Sequence, residues 1–185
     1  MGTTYTPQKF QQSDYNFTSD YSIVIDHPIS EVFPVLGHGD KMKEVVLLYD
    51  SCPEYVYLEC NRVPKPSWEP TPPANFTPSA PALPEGDPQP SIPRQMFRLY
   101  EEVHIFPGLS KRIEINGAQV WDDDAKVVLY ESSTEMGVHV WKLRKFEEID
   151  AENGKKVTKV TESIYGKCSW WLKSIVQSET RRGHR

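Results

Sequence analysis

The chain has 185 residues, 38% of them hydrophobic and 11% aromatic, which is enough for one domain with a core of its own. A formal net charge of -5 and a sequence pI near 5.6 argue against nucleic acid or anionic lipid as a principal partner. No stretch reaches the apolar length of a membrane span, and the N-terminal MGTTYTPQKFQQSDYNF has no signal pattern, so a cytoplasmic protein without membrane insertion is expected.

Residues 1–18 are polar and aperiodic and read as a flexible lead-in. Order is expected from Ser19, with a short strand in Tyr21-Ser22-Ile23-Val24-Ile25 that Asp26-His27-Pro28 stops. In ISEVFPVLGHG the residues Ile29, Val32, Phe33 and Leu36 share one helical face, Pro34 keeps the helix short, and Gly37 and Gly39 end it. A second short helix follows over about 40–48.

The run EYVYLECNRV predicts a strand over 54–63, which leads into the proline-rich stretch 64–93 holding eleven of the sixteen prolines. After it, MFRLYEEVHIF, SKRIEINGAQVW, AKVVLYESSTE, GVHVWKLRKFEEI and KKVTKVTESIY read as strands, with connections short enough that neighbours must be antiparallel. In KCSWWLKSIVQSETRR the residues Trp171, Leu172, Ile175 and Val176 make one apolar helical face, with Trp170 and Trp171 as anchors and Arg181 and Arg182 near the C-terminal end.

The stretch 64–93 is therefore an inserted loop in a single domain, 19–185, because the piece before it is too small to close a core. Trp68 and Phe76 are its expected points of attachment. It should leave from an edge of the sheet, either free or as a cover near a cavity, and its deletion should leave the fold intact.

On YSIVIDHPISEVFPVL at the start and GKKVTKVTESIYGKCSWWLKSIVQSETRR at the end, the chain resembles the START-like or Bet v 1-like superfamily, which includes polyketide cyclases and lipid-transfer domains. The resemblance implies an α+β helix-grip fold: a curved antiparallel sheet of about seven strands wrapped on a long C-terminal helix, with two short helices after the first strand. It also implies an internal cavity for a hydrophobic ligand.

Alternation then nominates the residues facing that cavity. Glu101 shares a face with Phe97, Leu99 and Val103, and Glu162 shares one with Thr158, Val160 and Ile164, so each is an acid on an apolar face. His139 alternates with Trp141 and Leu143, and Ile113 with Trp121, and all are expected to line the same concavity. A buried carboxylate or a histidine exchanges protons near neutrality, which makes Glu101, Glu162 and His139 candidate acid-base groups. Trp121, Trp141, Leu99, Ile113, Trp171 and Ile175 are candidate ligand walls. The competing role for the acids is structural pairing, and for the tryptophans core packing.

Other chemistries find no support. Cys52, Cys60 and Cys168 are widely spaced and read as reduced thiols, and no histidine spacing fits a metal. Phosphate loops, GxSxG and dinucleotide fingerprints are absent, so no cofactor is expected. Gly37-His38-Gly39 is too small a signal to use, and Asp122-Asp123-Asp124 reads as a solvated turn. The expected function is to bind an apolar small molecule as a carrier. The alternative is a cyclase, dehydratase or isomerase of a polyketide-like or terpenoid-like metabolite, working through the same cavity.

Overall fold

The computed structural model describes residues 15–69, 76–106, 108–152, 154–174 and 176–177. Its element order is β1 (Phe17–Ile25), α1 (Ile29–Leu36), α2 (Met42–Val46), β2 (Glu54–Pro64), β3 (Ser91–Phe106), β4 (Leu109–Asp122), β5 (Val127–Thr134), β6 (His139–Asp150) and β7 (Lys156–Lys167). All seven strands form one antiparallel sheet in the order β1-β7-β6-β5-β4-β3-β2. The short connections force each strand from β3 to β7 beside its sequence neighbour, β2 pairs with β3 across the long insertion, and β1 closes onto β7 with Phe17 opposite Gly166 and Ile25 opposite Thr158. The first strand begins four residues before the expected Tyr21 and two before the expected onset of order at Ser19, because Phe17 is buried at 4% exposure against Ile164 and Leu172.

Helices α1 and α2 pack on one face of the sheet, here the inner face. Val32, Phe33 and Met42 meet Tyr55, Phe97, Val128, Tyr130, Phe146 and Val160 there. Pro34 sits inside α1, which spans only eight residues. Its end is held to the sheet by two side chains: Gln119 Nε2 donates to Gly37 O at 2.8 Å and Arg144 Nη1 donates to Leu36 O at 3.2 Å.

The described residues hold only the beginning of the expected terminal helix. Val176 N–H donates to Leu172 O at 2.9 Å, and the two side chains pack with Phe17, Ile164 and Val140 on the inner face. Ile175, Arg181 and Arg182 lie outside the described residues. Trp170 and Trp171 do not anchor this turn: they are 86% and 51% exposed, because Leu172 is the residue its geometry points at the sheet.

The proline-rich insertion, in its described residues 64–69 and 76–93, does not cover the inner face. It crosses the opposite, outer face and builds a second core there, in which Val63, Ile92, Val120, Leu129, Trp141 and Leu143 are buried with Trp68 and Phe76 packed against them. Polar groups fasten it. Trp68 Nε1 donates to Asp122 Oδ2 at 2.7 Å and Lys65 Nζ donates to Asp122 Oδ1 at 3.1 Å. Asp122 is only 2% exposed and also accepts the Asp124 and Ala125 N–H groups, so the first acid of that run is a buried clamp rather than part of a solvated turn. Arg94 donates to Pro78 O, Ala80 O and Asn61 Oδ1, and Glu131 accepts from the Thr77 hydroxyl and the Ser79 N–H.

Glu131 makes this fastening dependent on pH. Burial pushes its carboxyl above the ordinary range, against the lowering effect of its bonds to Thr77 and Ser79. Between the ordinary value and the raised one, the folded protein holds a proton that the unfolded chain has released. This contribution to stability is therefore complete below the ordinary carboxylate pKa and is lost as pH rises through the raised value. Thermal melts of wild type and Glu131→Gln across pH 4 to 8 should show the wild type losing ground to the variant as pH rises. A pH-independent difference between the two would count against this assignment.

Candidate functional site

Strand pairing arranges the inner face in rows, since directly opposed residues point to the same side. Trp121, Val128, Arg144, Glu162 and Tyr21 form one row, and Gln119, Tyr130, Lys142 and Ile164 form the next. These rows join the cluster under α1 and α2, to which Val128 and Tyr130 belong, to the cluster under the terminal turn, to which Ile164 belongs. Four polar side chains, Tyr130, Lys142, Arg144 and Glu162, thus stand between two apolar regions.

Glu162 is bound tightly. Its Oε2 accepts from Arg144 Nε at 2.9 Å and from Nη2 at 2.6 Å, with Lys142 Nζ 3.8 Å away. This geometry gives charge-assisted bonds to a carboxylate that is 7% exposed. Lys142 is held more loosely: its Nζ lies 4.6 Å above the centre of the Tyr130 ring. Protein surrounds Lys142 and burial pulls its pKa below the ordinary lysine range, with Glu162 acting in the other direction. The side chain nevertheless keeps 29% of its surface accessible. Lys142 is thus partly enclosed by side chains of the inner face and still in contact with solvent.

Three polar atoms around this cluster are buried without a hydrogen-bond partner among the described residues: the hydroxyls of Tyr55 and Tyr130 and Oε1 of Gln119. Each such atom costs roughly 1–3 kcal/mol, so three on one face mark a place where stability has been given up. Burial pushes the Tyr130 phenol up to about 12, which keeps it a neutral hydrogen-bond donor at physiological pH.

The candidate residues named from sequence divide between the two faces. Glu101 pairs with Ile113 on the inner face, beside Leu99, and its charge helps hold the Lys142 ammonium, an interaction that reaches across the curved sheet from β3 to β6. Glu162, Trp121, Leu99 and Ile113 share that face. His139 and Trp141 do not. By register with Ser133 and Glu131 they stand on the outer face, where Trp141 is 5% exposed beside Tyr165. His139 sits near Lys167, and burial first, then that lysine, lowers its pKa. Trp171 is exposed, and Ile175 lies outside the described residues.

The reason for the misplacement is specific. In HVWKLRKF the apolar set Trp141 and Leu143 and the polar set Lys142 and Arg144 alternate, and alternation alone sends the apolar set inward. Both faces of β6 are covered, however, and the insertion takes the apolar set. Lys142, Arg144, Tyr130, Gln119 and Tyr55 therefore escaped sequence reasoning. One signal was available: Phe146 shares the parity of Lys142 and Arg144, so the polar set ends on a large aromatic.

No protein-family model and no curated protein matches the sequence. Among solved structures, the Zhui aromatase/cyclase from Streptomyces sp. R1128 superposes with a TM-score of 0.52, at 10% identity, over 91% of this chain and 88% of that one. The two chains share a fold. In this chain the antiparallel sheet leaves a face on which side chains from several strands converge. Among the described residues no helix is long and apolar enough to cross a membrane.

Proposed function

We propose that the protein belongs to the START-like superfamily and acts as an acid-base catalyst of the cyclase, dehydratase or isomerase class on a polyketide-like apolar molecule held at the inner face. The observation that carries this reading is Lys142, an ammonium deep in the fold that is still accessible and is only loosely paired. A partly enclosed cation is placed to stabilise negative charge developing on a carbonyl oxygen, where the surroundings make the interaction stronger than in water. The neutral Tyr130 phenol donates to the same oxygen. Glu101, on the same face, takes the role of proton acceptor, and Trp121, Leu99 and Ile113 serve as walls. The likeness in fold to an aromatase/cyclase supports this reading over simple carriage.

The carrier reading keeps one observation of its own. Arg144 and Glu162 satisfy each other, so they provide a fixed polar wall rather than a mobile acid and base.

Incubation with a linear poly-β-ketone thioester, followed by mass spectrometry, separates the two readings. Wild type should direct the chain into a defined cyclised product. Lys142→Met should lower that rate by about 100-fold or more, the usual loss for removing one oxyanion donor. A product mixture equal to the spontaneous one, with the thioester still bound, would leave only carriage.

A further inference from the structure

The tertiary fold joins Gly37-His38-Gly39 and Asp122-Asp123-Asp124. His38 Nε2 lies 2.8 Å from Asp123 Oδ1, in a hydrogen bond between positions 85 residues apart. The imidazole packs at 5.5 Å edge-on to Phe33 and at 6.0 Å beside Trp121, and 29% of its side chain is accessible. Its Nδ1 makes no hydrogen bond among the described residues.

The backbone around it is fixed from both sides. Leu36 O and Gly37 O accept from Arg144 and Gln119 of the inner face. At Gly39 a Cβ would lie 2.7 Å from Trp121 Cζ3 and 2.8 Å from Gln95 Cβ, so only glycine allows the chain this close to the indole. A surface ion pair that merely closed the α1–α2 turn would need neither the aromatic enclosure nor the contact with the inner-face cluster.

We infer that His38, positioned by Asp123, is a general base at the rim of the inner-face site and removes a proton from a carbon acid such as an enolisable ketone. The inference rests on the inner face being a ligand site, as proposed above, and adds to Glu101 a second base that sequence and fold likeness leave unassigned. The carboxylate accepts the Nε2–H hydrogen bond, which leaves the Nδ1 lone pair free to take a proton. The proton moves from the ligand carbon to Nδ1, and the C–H electron pair stays on the ligand as an enolate opposed by the inner-face cations. Return of the proton from Nδ1 to carbon or oxygen completes the cycle, and no oxidant or reductant is consumed. Asp123 is a positioning residue in this scheme.

The test uses nitrobenzisoxazole, a carbon acid that opens to a coloured cyanophenolate when a base takes its ring proton and the N–O bond breaks. Binding of anilinonaphthalene sulfonate is followed in parallel. The wild type should open the ring faster than buffer does. His38→Ala should lose about tenfold or more of that rate, within the range for a general base, keep its dye affinity, and recover rate on addition of imidazole. Asp123→Asn should lose rate and shift the nitrogen-15 signals of His38 away from the Nε2–H tautomer. Unchanged ring opening in His38→Ala, or a loss that imidazole does not restore, overturns the assignment while dye binding leaves the site itself standing. Failure of the dye to bind overturns both.

Discussion

Excision of residues 66–89, with β2 and β3 rejoined through an Asn-Gly turn, is expected to lower the melting temperature by about 10–20 °C. The two strands are already paired where the insertion leaves and returns, with Pro64 opposite Ser91, so the cut imposes no new strand geometry. What it removes is the cover over Leu129, Trp141 and Leu143, which are 0%, 5% and 2% exposed. Returning roughly 200 Å² of that apolar surface to water costs about 5 kcal/mol. The loss of partners for Glu131, Arg94 and Asp122 adds to it. A domain of this size has only about 5–15 kcal/mol in total, so the shortened chain should be marginal. Scanning calorimetry that found an unchanged transition would show that the insertion is an ornament, as the sequence led one to expect.

The second large effect concerns the inner face. Arg144→Met should destabilise the protein by about 3 kcal/mol in urea titrations, because it strips two hydrogen bonds from a buried carboxylate and releases the end of α1. The value belongs at the low end of the range for breaking such a pair, since Lys142 remains 3.8 Å from Glu162. Adding Glu162→Leu should recover only part of the loss, because it removes the unpaired carboxylate but takes from Lys142 its nearest counter-charge. Equal stability of Arg144→Met and wild type would mean that the pair contributes nothing and that α1 is held by packing alone.

These two effects come from the two faces of one sheet, and the faces differed in how far they could be read from sequence. The strands themselves were legible because β-branched and aromatic runs are bounded by turns such as Gly137 and Asp122 to Asp124. The order of β3 to β7 followed from short connections. The acids at Glu101 and Glu162 could be placed because each interrupts an otherwise apolar set. Trp68 and Phe76 stood out because large aromatics are costly to leave exposed in a proline-rich stretch.

The facing of β6 could not be read. A strand covered on one side sorts its residues into an apolar set and a polar set, and the sets identify the sides. A strand covered on both sides breaks that rule, because a polar side chain turned inward can be held by partners that are distant in sequence. Lys142 and Arg144 are held by Glu162 and Tyr130, and the meeting of His38 with Asp123 depends on the way α1 turns onto the end of β4. Local sequence thus determined which segments are strands and the two short helices, and that β3 to β7 pair in chain order, because those choices follow from backbone propensity and connection length. Only the tertiary structure decided which face the insertion covers and hence which side chains form the site, because that depends on contacts between residues far apart in the chain.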